Sequence, residues 1–222
     1  MENPVDQRQL WENQHLLRES ESRNLENMPN DFAKKCLHLV PDEGSLLEVG
    51  VANGRDARYF AREKRCRVTA IDFSKNALSQ LYEASLRDNT TDLITSVQAD
   101  MKHIPEFPVD SFDAFYARSA IHLSDEELEV FFNKILPSLR VGAYLMIEGK
   151  TTEDGKLARS TEIASNLCED TDGHIRRLWS EESIRDLVDK YKLHLQEITT
   201  TVEYWNGQET RFINFIAQKK HD

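Results

Sequence analysis

The sequence predicts an α/β fold, a seven-stranded and mostly parallel doubly wound sheet with helices before it and a long insertion after the fifth strand. Between Ser45 and Glu148, five short apolar runs alternate with longer stretches of helical periodicity. Strand, helix, strand in repetition makes a parallel sheet with helices on both faces. The length, 222 residues, suits one such domain with appendages.

In chain order, Leu10, Trp11, Gln14 and Leu17 mark a first helix, read as loosely attached. Phe32, Leu37 and Val40 mark a second before Pro41. The strands are expected at Leu46 to Gly50, Val68 to Ile71, Ile94 to Ala99, Phe112 to Ala117 and Ala143 to Glu148. Helices are expected at Arg55 to Lys64, Lys75 to Arg87 and Asp125 to Leu139, the last opened by Ser124 with Glu127 three residues on as a capping box. After Gly149 the chain turns polar through Gly173, with weak helical signals from Leu157 to Leu167. A long connection past a strand's carboxyl end is commonly a lid or substrate loop. A helix at Glu181 to Tyr191 and strands at Leu193 to Val202 and Thr210 to Gln218 close the chain, with Asn206-Gly207 as their turn. The last strand, TRFINFIAQ, is expected to run antiparallel. Residues 1–222 are read as one domain: 1–40 a helical lid, 45–150 the ligand-binding core, 151–180 a substrate or lid segment, 181–222 a closing helix and two strands.

Composition narrows the function. Against 28 Lys and Arg stand 39 Asp and Glu, a formal charge of -11. That field repels a nucleic-acid backbone and favours a small-molecule partner. Cys36, Cys66 and Cys168 are far apart and form no CxxC pair, which speaks against a disulfide framework or structural zinc. No leader and no apolar run of bilayer length is found, so a soluble, cytoplasmic protein without membrane partner is expected. Oligomeric state is not legible.

The turn LLEVGVANGRDARYFA, residues 46–61, sits where open α/β sheets bind ligands, at a strand's carboxyl end before a helix. A dinucleotide fingerprint counted from Gly50 would need glycine at 52 and 55, where Ala52 and Arg55 stand. Those glycines admit the pyrophosphate and close helix packing. No Gly-Lys-Ser/Thr follows, so a phosphate-cradling Walker loop is excluded too.

Glu48, Gly50 and Gly54 fit a different pattern, acidic-x-G-x-G-x-G with Ala52 at its middle glycine. From about Ser45 to Glu148 the chain resembles the class I S-adenosylmethionine-dependent methyltransferases of small molecules. The resemblance implies that this loop wraps the methionine end of S-adenosylmethionine, leaving S-adenosylhomocysteine after transfer. It implies that Asp72, eighteen residues after Gly54, accepts the ribose hydroxyls, with Phe73 near the adenine. Asp100 would cap the adenine amino group and Met101 pack on the ring. Ala117 at the fourth strand's end and Trp11 on the first helix complete the expected cofactor set.

The acceptor side is less specific. The Asn/Asp-Pro-Pro-Tyr signature of base-methylating enzymes is absent from Tyr116-Ala117-Arg118-Ser119. Arg118 is expected at the substrate side and His122 as a general base, its free pKa lying near neutrality. Lys150 and the cluster GHIRRLW, with His174, Arg176 and Arg177, are expected to join Arg118 around an anion, because guanidinium forks suit carboxylates and phosphates. An anionic metabolite methylated at oxygen is the leading expectation. Thiol, amine or chalcogen methylation is the alternative, and a non-catalytic cofactor- or partner-binding protein the rival of another class. No His/Asp/Glu set stands at ligand spacing, so no metal is expected.

Overall fold

The protein is described from a computed structural model that covers residues 6–21, 28–155, 157, 160–205 and 208–220, side chains of 17–21, 205 and 208 excepted. Two helices, α1 (Gln7–Glu21) and α2 (Asp31–Cys36), precede β1 (Ser45–Val49), α3 (Arg55–Lys64), β2 (Arg67–Asp72), α4 (Lys75–Asp88), β3 (Ile94–Gln98), β4 (Phe112–Arg118), α5 (Asp125–Ser138) and β5 (Leu139–Thr151). The insertion holds β6 (Thr161–Ala164), β7 (Leu167–Glu169) and β8 (Ile175–Trp179), and α6 (Glu181–Lys190), β9 (His194–Trp205) and β10 (Gln208–Gln218) follow.

The central sheet has the order β3-β2-β1-β4-β5-β10-β9. Strands β1 to β5 pair in parallel and β10 runs antiparallel to β5, as the sequence predicts. Strand alternation splits the apolar residues between two cores. Leu47, Val49, Phe115, Ala117 and Ile147 face α5 and α6, whereas Leu46, Ala114, Tyr116 and Met146 face α2 and α3. The capping box forms: the Ser124 hydroxyl accepts from the Glu127 N–H and Glu127 accepts from the Ser124 N–H. It fixes where α5 starts, one short loop beyond the end of β4.

The insertion departs from expectation. Its described residues between 157 and 167 contain β6 rather than a helix, followed by β7 and β8 in antiparallel pairing. All four residues of β6 are exposed, so the strand buries no face and leaves no alternation to read. β8 then adds to the tip of β5, Lys150 opposite Leu178 and Thr151 opposite Trp179. Phe212 of β10 occupies the other edge at Lys150, and β4 stops at Arg118 opposite Glu148. β8 therefore continues β5 on the edge that β4 vacates, and the three short strands stand over the end of β4. The Thr152 N–H donates to the Trp179 carbonyl at 3.2 Å, closing the insertion at its base. The Asn206-Gly207 turn lies outside the described residues. Among the described residues no helix is long and apolar enough to cross a membrane.

Candidate active site

The first loop is shaped by positive backbone angles. Gly50, Ala52 and Gly54 have φ of 72°, 49° and 74°. The Gly50 and Val51 N–H groups donate to the Ile71 carbonyl at 2.8 and 3.1 Å, so the loop turns directly above β2. A Cβ on Gly50 would stand 2.1 Å from the Cβ of Ala120; glycine lets this turn touch the loop after β4. Ala52 adopts the left-handed angle that its missing glycine would take freely, at about 1–2 kcal/mol of strain. Its N–H donates to Asp72 Oδ2 at 2.9 Å. The bond to Asp72 holds the alanine in this turn.

Asp72 is buried, and its Oδ1 accepts from the Ser74 N–H at 2.9 Å. Burial pushes its carboxyl up while the Ser74 and Ala52 N–H groups pull it back. Each oxygen retains acceptor capacity toward a ligand. Glu48, on the neighbouring strand, is 3 % exposed, and its Oε2 has no hydrogen-bond partner among the described residues. Burial and the nearby Asp56 raise its pKa well above the ordinary carboxylate range. Ala117, which pairs with Val49, is buried at the end of β4.

At the end of β3, Asp100 Oδ1 accepts from the Lys102 N–H at 2.9 Å and Oδ2 from Arg8 at 3.0 Å. Met101 packs half-buried against the α5-side core. Phe73, half-buried, follows Asp72, its carbonyl accepting from Gln98 Nε2 at 3.1 Å.

The first helix is not loosely attached. Arg8 meets Asp100; Glu12 accepts from the Ser74 hydroxyl at 2.8 Å, the Lys75 N–H at 3.0 Å and Asn76 Nδ2 at 2.9 Å. It thus bonds the first turn of α4, where a carboxylate also suits the helix dipole. Gln7 donates to the Gly173 carbonyl at 2.8 Å and accepts from the Ile175 N–H at 3.0 Å. Trp11 stacks on His122 with centroids 5.7 Å apart, meets His174 edge-on at 4.7 Å, and carries the Arg176 guanidinium 4.6 Å from its ring centre. α1 is a strap from the carboxyl ends of β2 and β3 to β8. Glu12, Gln7 and Arg8 escape sequence reasoning because their partners lie far along the chain.

The basic residues expected around one anion are divided between the two faces of the sheet. Arg177 donates to the Leu123 carbonyl at 2.9 Å and to Asp125 at 2.6 Å, on the α5 side. Arg176 pairs with Asp170 at 3.0 Å, and His174 is buried 3.7 Å from the same carboxylate. Arg118 lies on the Tyr116 face. Its Nε bonds Glu148 at 2.7 Å and its Nη2 bonds Glu203 at 2.6 Å. Burial works against its charge, but Glu148 and Glu203 outweigh it and raise the guanidinium pKa. Lys150 pairs with Asp154 at 2.8 Å. The one-pocket arrangement of Arg118 with Arg177 is corrected, because strand alternation sends these two to opposite faces; Arg176, one residue from Arg177, is instead committed to Asp170 and the Trp11 ring.

His122 takes a different form from that of a general base. Its Nδ1 accepts from the Arg177 N–H at 3.3 Å, so the ring's one lone pair is used. Burial, helped by Arg176, pulls its pKa down to about 3 from 6.5. The fold accommodates the neutral ring, so its contribution is complete above about pH 6.5. Below that the unfolded chain takes up the proton first, and stability falls toward pH 3. The slope is at most about 1.4 kcal/mol per pH unit. Melting curves between pH 7 and 4.5 should flatten in His122→Asn; parallel curves would show that the ring protonates freely in the fold.

Comparison with known proteins bears on this arrangement. Residues 47–147 match the family model described as a methyltransferase domain. A chloroplastic, uncharacterized methyltransferase of Arabidopsis thaliana is 40% identical over 83 residues, which are 36% of this chain and 23% of that protein. The chain thus spans less than a quarter of that relative. An S-adenosylmethionine-dependent methyltransferase from Methanosarcina mazei superposes with a TM-score of 0.70 at 15% identity, covering 83% of this chain and 96% of that one. The 1,6-didemethyltoxoflavin-N1-methyltransferase of Burkholderia thailandensis, solved with 1,6-didemethyltoxoflavin and S-adenosylhomocysteine, has a TM-score of 0.68 at 15% identity, with coverage of 100% and 92%.

Proposed function

Because residues 47–147 match a methyltransferase domain and the fold superposes on that of S-adenosylmethionine-dependent methyltransferases, we propose that this chain is a class I enzyme of that kind and transfers the cofactor's methyl group to a small molecule seated at the ends of β4 and β5. The observation that carries the reading is the pair of buried carboxylates at adjacent strand ends. Asp72 keeps acceptor capacity while bracing the first loop, and Glu48 keeps an oxygen without a partner. A carboxylate withdrawn from water calls for a cation or a proton, and the ammonium of the cofactor's methionine end supplies the first. Asp72 would hold the ribose, Asp100 the adenine amino group, and Phe73, Met101 and Ala117 the surrounding apolar surface.

When bound, the cofactor supplies the electrophilic methyl group; the chain's own task is alignment and exclusion of water. For that we assign α1 to a cover, 45–150 to cofactor binding, 151–180 to the acceptor side and 181–222 to completing the sheet; the expectation that all of residues 1–40 form a lid is corrected for α2, whose Phe32, Ala33 and Cys36 pack into the core. Trp11 belongs to the cover, clamped among His122, His174 and Arg176. In place of proton abstraction, we assign His122 the support of Trp11 and the insertion. Closure over a small molecule fits this strap better than over a polymer. Trp11→Ala should therefore raise the acceptor KM at least tenfold with a smaller change in kcat; unchanged kinetics would remove α1 from the site.

An anionic oxygen acceptor finds its candidate cations already matched: Arg118, Lys150, Arg176 and Arg177 each hold a carboxylate of the chain. A neutral or amine nucleophile fits that balance better. The test is S-adenosylhomocysteine release with panels of small amines, thiols, alcohols and carboxylates. Release that depends on an acceptor makes the protein an enzyme, whereas tight cofactor binding without release from any panel would make it a binding protein. The cytoplasm remains our proposed compartment from the sequence, to be checked by fractionation, since the Arabidopsis relative is chloroplastic.

A further inference from the structure

We propose that Glu203 sets the charge class of the acceptor: by holding the outward edge of the Arg118 guanidinium, it denies that cation to anions and leaves the mouth to neutral or amine acceptors. The proposal rests on the methyltransferase reading and concerns its acceptor side alone.

Arg118 ends β4 with its side chain 15% exposed. Its two carboxylates are unequal. Glu148 binds Nε from β5 with a side chain 2% exposed, and it neutralises a charge that the fold has taken out of water. Glu203 binds Nη2 from β9 with a side chain 44% exposed, so it meets the arginine from the solvent side. It occupies the edge through which a guanidinium would fork a carboxylate or phosphate.

The surroundings deepen the bias. Lys150, paired with Asp154, and Arg118 both stand over the Phe212 ring, 4.2 and 4.9 Å from its centre. In this group the Glu148, Glu203 and Asp154 carboxylates stand beside Arg118 and Lys150. An arriving anion must displace Glu203 and then remain beside it. The backbone gives Glu203 little room to withdraw, because it is paired with Thr210 inside the β9–β10 ladder. A neutral molecule or an amine meets no such opposition, and the exposed Glu203 carboxylate can accept from its N–H.

The experiment titrates inorganic phosphate near pH 7.5 into the protein and into Glu203→Gln, each with and without S-adenosylhomocysteine, by calorimetry. Side-chain N–H signals of Arg118 are followed in parallel by NMR. Gln keeps the shape and removes the charge. Phosphate affinity is expected to rise at least tenfold in the variant, with the Arg118 signal shifting in the variant and not in the parent. Equal affinity in both proteins, or a gain that leaves the Arg118 signal in place, overturns the proposal. The parent protein's affinity for S-adenosylhomocysteine is read in the same series. Its absence would overturn the cofactor reading, while the phosphate comparison without cofactor would still decide the role of Glu203.

Discussion

Gly50→Ala is expected to destabilise the fold by about 3 kcal/mol, roughly 6–12 °C in melting temperature for a chain of this size. Two costs add. The left-handed φ of 72° opposes any Cβ, and the new atom would stand 2.1 Å from the Cβ of Ala120. Neither Cβ can rotate away, so relief requires movement of the first loop or the loop after β4. That movement reaches the site, because the Gly50 and Val51 N–H groups both rest on the Ile71 carbonyl. Adding Ala120→Gly should recover the part due to contact and leave the part due to backbone angle, about 1–2 kcal/mol. A Gly50→Ala protein that melts with the parent would mean that the two loops do not touch in solution.

Asp72→Ala is expected to weaken S-adenosylhomocysteine binding by about 1.5–3 kcal/mol, tenfold or more. The direct part would be the proposed contact of the ribose hydroxyls with the carboxylate. The indirect part is the pair of backbone N–H groups, of Ala52 and Ser74, that lose their acceptor. Without that bond, nothing described offsets the strain at Ala52. Asp72→Asn retains one acceptor oxygen and separates the two parts: it should support the loop better than alanine yet bind the cofactor less tightly than aspartate. Calorimetry showing parental affinity in Asp72→Ala would end the assignment of the ribose to this residue.

What the sequence disclosed follows the range of the interactions involved. The five parallel strands were legible as short apolar runs, the pattern of strands covered on both faces, α3 to α5 by their helical periodicity, and the Ser124–Glu127 cap because it needs only three residues. Asp72 was legible as a strand-end acid; that it props Ala52 in place of a glycine was not. β6 exposes every residue, so its strand state comes from pairing with β7 and from no pattern of its own. The charge state of the mouth was hidden for a similar reason. Arg118 reads as an available cation until Glu203, 85 residues away, is brought beside it. Likewise His122 reads as a base until the Arg177 N–H takes its lone pair.

The insertion leaves β5 and returns at almost the same point, Thr151 lying opposite Trp179 and the Thr152 N–H bonding the Trp179 carbonyl. A segment whose two ends are already joined at the core is a detachable cassette: lengthening it adds little closure entropy, and the central ladder need not register the change. On our proposed reading, the part of the acceptor side that the insertion contributes could thus change in length while the cofactor-binding strands keep theirs.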